Sequence, residues 1–356
     1  MKCIDRYIFA EFSKKFTLFF ITLNVFLFCA DTYKYLENFL KHRVSLGDMF
    51  YHYMTQGIVY LPLILPLTFV MTLIFIFVAM QRRNEIIALL SSGINFFKIT
   101  RVFWLCGFVG SAILLWGNFE WIAKAREYSN HHLERLEVNG DALFVKHLTF
   151  NTSNRLWYIN RYNKVEGRAF EIAIHEYDAR EKECRRIVAQ LGSFDEKINA
   201  WTLERGREIL FHPKKQIAEK VYVFERRVFF ELRDSPKLMS LFQMPLQNLS
   251  LSQLQAVIKV QGEMGGIYKM RFWDLILSSS FCFLSCWIVL PVLFSTFGRN
   301  HWRGVMRLGV ILSVYGTLSY TLYALGASGT VYWLYVPLAP FCFLVLMPLL
   351  WIRKLC

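Results

Sequence analysis

Gln81-Arg82-Arg83-Asn84-Glu85-Ile86-Ile87-Ala88-Leu89-Leu90-Ser91-Ser92-Gly93 decides how the rest of the chain is read. It lies between two apolar runs, Gly57 to Met80 and Val102 to Trp116. Each run is about long enough to cross a bilayer core as a helix. The stretch itself is charged at its front and then apolar at helical spacing: Ile86, Leu89, Leu90 and, one turn on, Ile94 share a face. Gly93 stands where a C-terminal glycine ends a helix. Arg82, Arg83, Lys98 and Arg101 assign the segment to the positive side of a membrane. Two readings follow. It is a turn dressed with charge, or it is a handle by which a cytoplasmic motor moves the spans.

The totals agree with a membrane chain that carries one soluble insertion. The hydrophobic share of 55% exceeds that of an ordinary soluble domain, roughly 45–50%. Charge concentrates between about Lys124 and Lys269. The net charge of +14 does not imply nucleic acid, because much of it sits in short loops and chain ends beside the spans. Of the eight cysteines, only Cys184 falls in the polar block, so no disulfide framework holds that block. Cys282 and Cys286, at i,i+4 spacing inside a span, read as small packing residues.

Working outward gives six spans and three regions. Residues 1–121 form an N-terminal membrane region. It holds an interfacial helix over Met1–Lys15, a first span from about Phe16 to Tyr35, a second from Gly57 to Met80, the coupling segment at about 82–93, and a third span from Val102 to about Phe119. Met1–Lys15 lacks a small-residue cleavage site after its apolar run, so it reads as an anchor. Pro62 and Pro66 are expected to kink the start of the second span or mark the turn before it. Asp31 and Lys34 fall at the edge of the first apolar run, followed by Lys41, His42 and Arg43. Ionisable groups there are costly, so Lys34 is either a snorkelling interfacial residue or a cation facing an anionic ligand inside the bundle.

Residues 122–268 form the inserted domain. After a polar helical stretch to about Arg135, six short runs rich in β-branched and aromatic residues follow: Ala142–Phe150, Arg155–Asn160, Phe170–Tyr177, Arg186–Gln190, Ala200–Glu204 and Val221–Phe230. Strands without intervening helices predict a sandwich or jelly roll. Leu249–Gly262 returns to helical spacing, with Ser250 or Ser252 as its N-cap. Residues 269–356 hold spans four (Phe272–Phe294), five (Val305–Leu325) and six (Val331–Ile352). The fold expected is a polytopic α-helical membrane protein with six transmembrane helices and an extracytoplasmic all-β jelly roll between the third and fourth. The basic loops place both termini inside and the β-domain outside.

Catalytic signatures are absent from the sequence. There is no GxxxxGK[ST] P-loop and no HExxH. His131-His132, with Glu127 and Glu134, is the densest candidate for a metal, against a plain polar helix face. No cofactor is expected, and no enzymatic activity in this chain.

Several of these pieces together resemble the lipopolysaccharide export permeases, LptF and LptG, over essentially the whole length. Asp5-Arg6-Tyr7-Ile8 resembles the family's opening. Gln81–Glu85 through Ser91-Ser92-Gly93 resembles its coupling segment. Leu156-Trp157-Tyr158-Ile159 resembles an early strand of its outer domain. The opening and the Arg303-Gly-Val-Met-Arg307 stretch look more like LptG. A proline often found early in the fourth span is replaced here by Ser279 or its neighbours, and Arg126, His131 and Arg135 stand only near the family's basic residues after span three.

The resemblance implies a permease that pairs with a second permease subunit and sits on a cytoplasmic ATPase dimer, which binds the ATP. It implies a bacterial inner-membrane location, with lipopolysaccharide leaving through the membrane cavity to a periplasmic jelly-roll bridge protein and with ordinary membrane lipids around the spans. Arg83, Glu85, Leu89 and Gly93 would couple to the ATPase. Lys34, Lys41 and Arg43 would face the lipid phosphates. Elementary energetics agree: a phosphate–lysine contact is worth about 1.5–3 kcal/mol, while each buried methylene contributes about 0.8 kcal/mol. Withdrawing several acyl chains therefore needs external work. The alternatives are a permease of the lipoprotein-release or cell-division type, which usually has four spans, and a membrane enzyme with an outer substrate domain.

Overall fold

The computed structural model describes residues 2–41, 45–137, 144–152, 154–163, 167–178, 182–195, 198–212, 218–232, 234–261, 266–295, 301–328 and positions 332, 335, 336, 338 and 342. In chain order the elements are α1 (Lys2–Lys41), α2 (Leu46–Arg82), α3 (Glu85–Ser91), α4 (Phe96–Phe119), α5 (Trp121–Glu137), β1 (Phe144–Asn151), β2 (Arg155–Asn163), β3 (Arg168–Tyr177), β4 (Glu183–Asp195), β5 (Ala200–Phe211), β6 (Ala218–Phe229), α6 (Pro236–Gln243), α7 (Leu251–Gln261), α8 (Gly266–Ser279), α9 (Phe281–Ser295) and α10 (His301–Ala327). The chain divides into two compact units, Met1–Ser129 with Gly266–Cys356, and Asn130–Gly265.

Among the described residues, the helical unit holds four helices long and apolar enough to cross a membrane: α1, α2, α4 and α10. The α8–α9 pair makes a fifth such segment if it counts as one span, bent by 53°. The sixth expected span, 331–352, falls mostly outside the described residues. The interfacial helix and the first span are one unbroken helix. Residues 46–56, ahead of the second apolar run, form the first turns of α2, started by Ser45, whose hydroxyl accepts the Asp48 N–H at 3.2 Å. Pro62 and Pro66 stand inside α2 and neither breaks it nor precedes it. Pro66 is buried, and close neighbours keep such a helix intact where water cannot compete for the freed carbonyls.

Burial separates the helices by role. Of its most apolar stretch, α2 buries 61%, whereas α1 buries 6% and α10 buries 11%. The core therefore forms around Phe69, Leu73, Ile76 and Phe77 of α2, with Ile8 and Phe12 of α1 and Phe103 of α4. Helices α4 and α9 approach closely because Gly107 has no side chain. A Cβ there would sit 3.0 Å from the Cys282 carbonyl oxygen and 3.1 Å from the Cys286 sulfur. Small residues at a helix contact let backbones approach within a membrane, which is the packing role expected of the two cysteines.

The second unit is built on one antiparallel six-stranded sheet in the order β1-β2-β3-β4-β5-β6. Every strand pairs with its sequence neighbour; the second sheet of a sandwich or jelly roll does not occur among the described residues. The six runs read as strands each fall on one of six strands among the described residues, and most of these are longer than the runs. The ladders skip one level in every strand, at His147, Asn160, Glu171, Gln190, Arg205 and Glu225. Of these, His147, Glu171 and Arg205 have left-handed φ of 54°, 53° and 52°. The buried face changes parity at the same level. In β2 it passes from Trp157 and Ile159 to Tyr162, and in β3 from Ala169 to Ile172 and Ile174. Side chains alternate strictly only while the pleat is regular, so the pleat resets along one line across the whole sheet.

Trp157 and Trp201 are fully buried on the sheet's inner face. Their indole N–H groups donate to Asp234, to its Oδ2 at 3.2 Å and its carbonyl at 2.8 Å. Helix α6 packs beside β1, where the Gln243 amide donates to the His147 carbonyl at 2.6 Å. Ser250 starts α7 as a capping box. It accepts the Gln253 N–H at 3.1 Å, and Gln253 accepts the Ser250 N–H at 2.9 Å.

Candidate functional site

The corner that joins α2 to α4 is fixed by two left-handed residues. Asn84, with φ 57°, turns the chain out of α2, and its N–H donates to the Gln81 carbonyl at 3.1 Å. Gly93, with φ 77°, ends α3. Its N–H donates to the Leu90 carbonyl at 2.9 Å, and the Ile94 N–H donates to the Leu89 carbonyl at 3.2 Å. Those two bonds form a Schellman motif and satisfy the last carbonyls of a short helix. Ile86 is buried, and Leu89, Leu90 and Ile94 pack half-buried against the helical core. The apolar face read from the spacing is the face that packs. Leu89 therefore points into its own chain, and Ile87, 48% exposed, is the large apolar side chain that α3 leaves outside, beside the exposed Ala88.

Gln81, Arg83 and Glu85, at the front of the corner, each have a partner. The buried Gln81 amide donates to the Leu293 carbonyl at 3.1 Å, one of the last-turn carbonyls that α9 cannot satisfy within itself. The Tyr7 hydroxyl donates to Glu85 at 3.2 and 3.3 Å from its two carboxylate oxygens. Arg83 approaches the same carboxylate at 3.5 Å. Next to this group, Arg101 of α4 forms a bidentate pair with Asp5, the Nε–Oδ1 bond being 2.8 Å. Such paired guanidinium–carboxylate bonds fix orientation as well as adding energy. The start of α1 therefore holds both sides of the corner: Asp5 ties α4, Tyr7 ties α3, and Ile8 between them is 1% exposed in the core. Sequence reading found Glu85 but not Tyr7 or Asp5 as its surroundings.

A second cluster lies towards the other end of α1. Asp31 is 5% exposed. It accepts from the Tyr60 hydroxyl at 3.1 Å and contacts His52 Nε2 at 3.2 Å. Thr32 and Tyr53 share a 2.6 Å bond beside it. His52 and Tyr60 stand two helical turns apart on α2, a spacing that a search for partners of Asp31 could have used. One turn beyond Asp31, Lys34 is exposed, as is Lys41 at the end of α1. Arg43 lies outside the described residues, as do the side chains of His131 and His132. Arg126 of α5 is half-buried; burial, and then the guanidinium of Arg271, push its pKa down. Arg271 donates to Asp274 at 2.6 Å. Among the described residues no group of three His, Cys, Asp or Glu could hold a metal ion.

Thus the residues expected to couple, Arg83, Glu85, Leu89 and Gly93, come together in one corner, and Lys34 and Lys41 share the far part of α1. The family model described as lipopolysaccharide export system permease LptF/LptG matches residues 6–354 of the 356. No curated protein matches the chain.

Proposed function

Since the chain belongs to the family of lipopolysaccharide export permeases LptF/LptG, a family of membrane transporter subunits, we propose that it is the LptG-type subunit of an ATP-driven exporter in the bacterial inner membrane. It pairs with a second permease subunit, and a separate cytoplasmic ATPase dimer supplies the work through α3. Both termini are cytoplasmic, and the creased sheet is the periplasmic jelly-roll-type module that hands lipid to a bridge of similar domains. Edge strand β6, with Val221, Val223 and Val228 exposed, offers backbone groups for pairing with such a partner.

The observation that carries the reading is the clamped corner. Glu85 is held by Tyr7 while Asp5 holds Arg101, so a push on α3 reaches α1, α2 and α4 together. Rigid, multiply tied levers transmit force that a frayed loop would dissipate. On the opposite side, Lys34 and Lys41, with the like-charged Arg126 and Arg271, supply cations for lipid phosphates; such charge-assisted contacts are each worth about 1.5–3 kcal/mol.

The test is ATP-driven release of lipopolysaccharide from a reconstituted complex. Glu85→Arg is expected to abolish release while the complex still assembles; full release would overturn the coupling role. Lys34→Asp is expected to weaken lipid crosslinking, and unchanged crosslinking would remove Lys34 from the lipid site. Single-cysteine labelling that put residues 84–92 and the sheet on one side of the membrane would overturn the topology.

A further inference from the structure

A groove of about 720 Å³ opens between α1, α2 and α10. Phe19, Met71, Ile74, Phe75, Val78 and Trp302 line it, and Arg82 and Arg83 stand at one end. Met71 and Arg82 are eleven residues apart on α2, about 16 Å of helix. One leaflet's share of a hydrocarbon core is about 15 Å. The groove is therefore one leaflet deep, apolar along its length and basic at its mouth.

The charges at that mouth are divided. Arg83 is engaged by Glu85. Arg82 is exposed and carries no ion pair among the described residues. About two helical turns further along α2 from that mouth, the Lys15 ammonium lies 5.2 Å from the centre of the Phe75 ring, and Phe19 packs edge-on against the same ring at 5.7 Å. Trp302, 63% exposed, stands in the first turn of α10; tryptophan favours the level where headgroups meet hydrocarbon.

We propose that this groove binds one anionic phospholipid from the leaflet that faces the coupling corner. Its acyl chain lies along Phe19, Met71 and Phe75, and Arg82 holds its phosphate. Charge complementarity selects the occupant: a zwitterionic lipid brings a cation of its own to a mouth that already holds Arg82 and Arg83. Because Arg83 also touches Glu85, a lipid seated there lies beside the lever. The proposal takes from the reading above only which leaflet is meant.

Native mass spectrometry of the full-length chain, delipidated and then offered phosphatidylglycerol, phosphatidylcholine or inorganic phosphate, tests it. Phosphatidylglycerol is expected to be retained and phosphatidylcholine lost. Arg82→Gln is expected to weaken retention about tenfold, the loss of one charge-assisted contact. Met71→Trp fills the groove and is expected to expel the lipid with Arg82 intact; thermal melting checks that both variants fold. Equal retention of the two lipids, retention of phosphate in place of lipid, or indifference to both substitutions overturns the site. A chain that retains phosphatidylglycerol but releases no lipopolysaccharide leaves this site standing and removes the export reading, and the opposite result removes the site alone.

Discussion

The hydroxyl of Tyr7 lies 3.2 and 3.3 Å from the two carboxylate oxygens of Glu85, joining positions 78 residues apart. The acid that the sequence marks as a coupling residue is thus oriented by the opening of the chain. The Asp5–Arg101 pair does the same for α4.

If Tyr7 acts by orienting Glu85, Tyr7→Phe removes one hydrogen bond and keeps the ring. ATP-driven release should fall about two- to tenfold, the worth of a bond of roughly 0.5–1.5 kcal/mol. In a Glu85→Ala background the same change should do nothing further, because residues that act as a unit are non-additive. An equal loss in both backgrounds would sever Tyr7 from Glu85.

Gly93 has φ 77° and nothing within 4 Å of where a Cβ would be. Substitution there costs backbone strain alone. Gly93→Val should destabilise the corner by about 1–2 kcal/mol, and Gly93→Asn by less, since asparagine tolerates this conformation. Protease sensitivity of residues 84–95 measures the fraying; equal behaviour of the two variants would contradict the strain account.

Arg205 carries left-handed strain on the crease and is exposed. Arg205→Gly relieves strain of about 1–2 kcal/mol at an entropic cost of about 0.5–1 kcal/mol. A net gain of up to about 1.5 kcal/mol is expected, and Arg205→Val should lose stability. Thermal unfolding followed by tryptophan fluorescence reads both; a stabilising valine would mean the crease is not strained.

Arg185 bonds Glu208 at 2.7 Å and Glu231 at 2.7 Å on the sheet. Arg185→Ala strips one of two guanidinium partners from Glu208, whose side chain is 8% exposed and which keeps Arg227 at 2.6 Å, and should cost roughly 1.5–3 kcal/mol, the worth of hydrogen bonds to a charged group. The Arg185 guanidinium also holds Glu231 below the usual carboxylate range. A lowered folded pKa adds stability above the unfolded value, near 4.5, and that stability is lost as pH falls through the folded one. The gap between wild type and variant should therefore be widest above about pH 4.5 and shrink below it. A gap constant down to pH 3 would show that packing, not charge, is what Arg185 provides.

The crease explains how the sheet was read. Strands expected to end at Asn160, Gln190 and Glu204 continue past those points, and each expected end falls on or beside the skipped level. The alternation does break there. A break in period is what a strand end looks like locally, so only the neighbouring strands, broken at the same level, show that the sheet goes on. Of the two readings of Pro62 and Pro66, the turn before the span is excluded, because α2 runs through both: proline penalises a helix locally, and the burial that offsets it is supplied by other helices.

The sequence by itself determined the alternation of apolar spans with one β-rich insertion, the inward face of α3 at Ile86, Leu89, Leu90 and Ile94, and its end at Gly93. Those features follow from periods of 3.6 and 2 and from one residue's backbone freedom, all of which are local. Only the tertiary structure decided that Tyr7 meets Glu85, that Asp5 meets Arg101, that His52 and Tyr60 enclose Asp31, and that the pleat resets in all six strands together. These pairings join positions 21 to 96 residues apart. Packing of the two cores sets them; the spacing of His52 and Tyr60 puts both on one helix face but does not say that Asp31 meets that face.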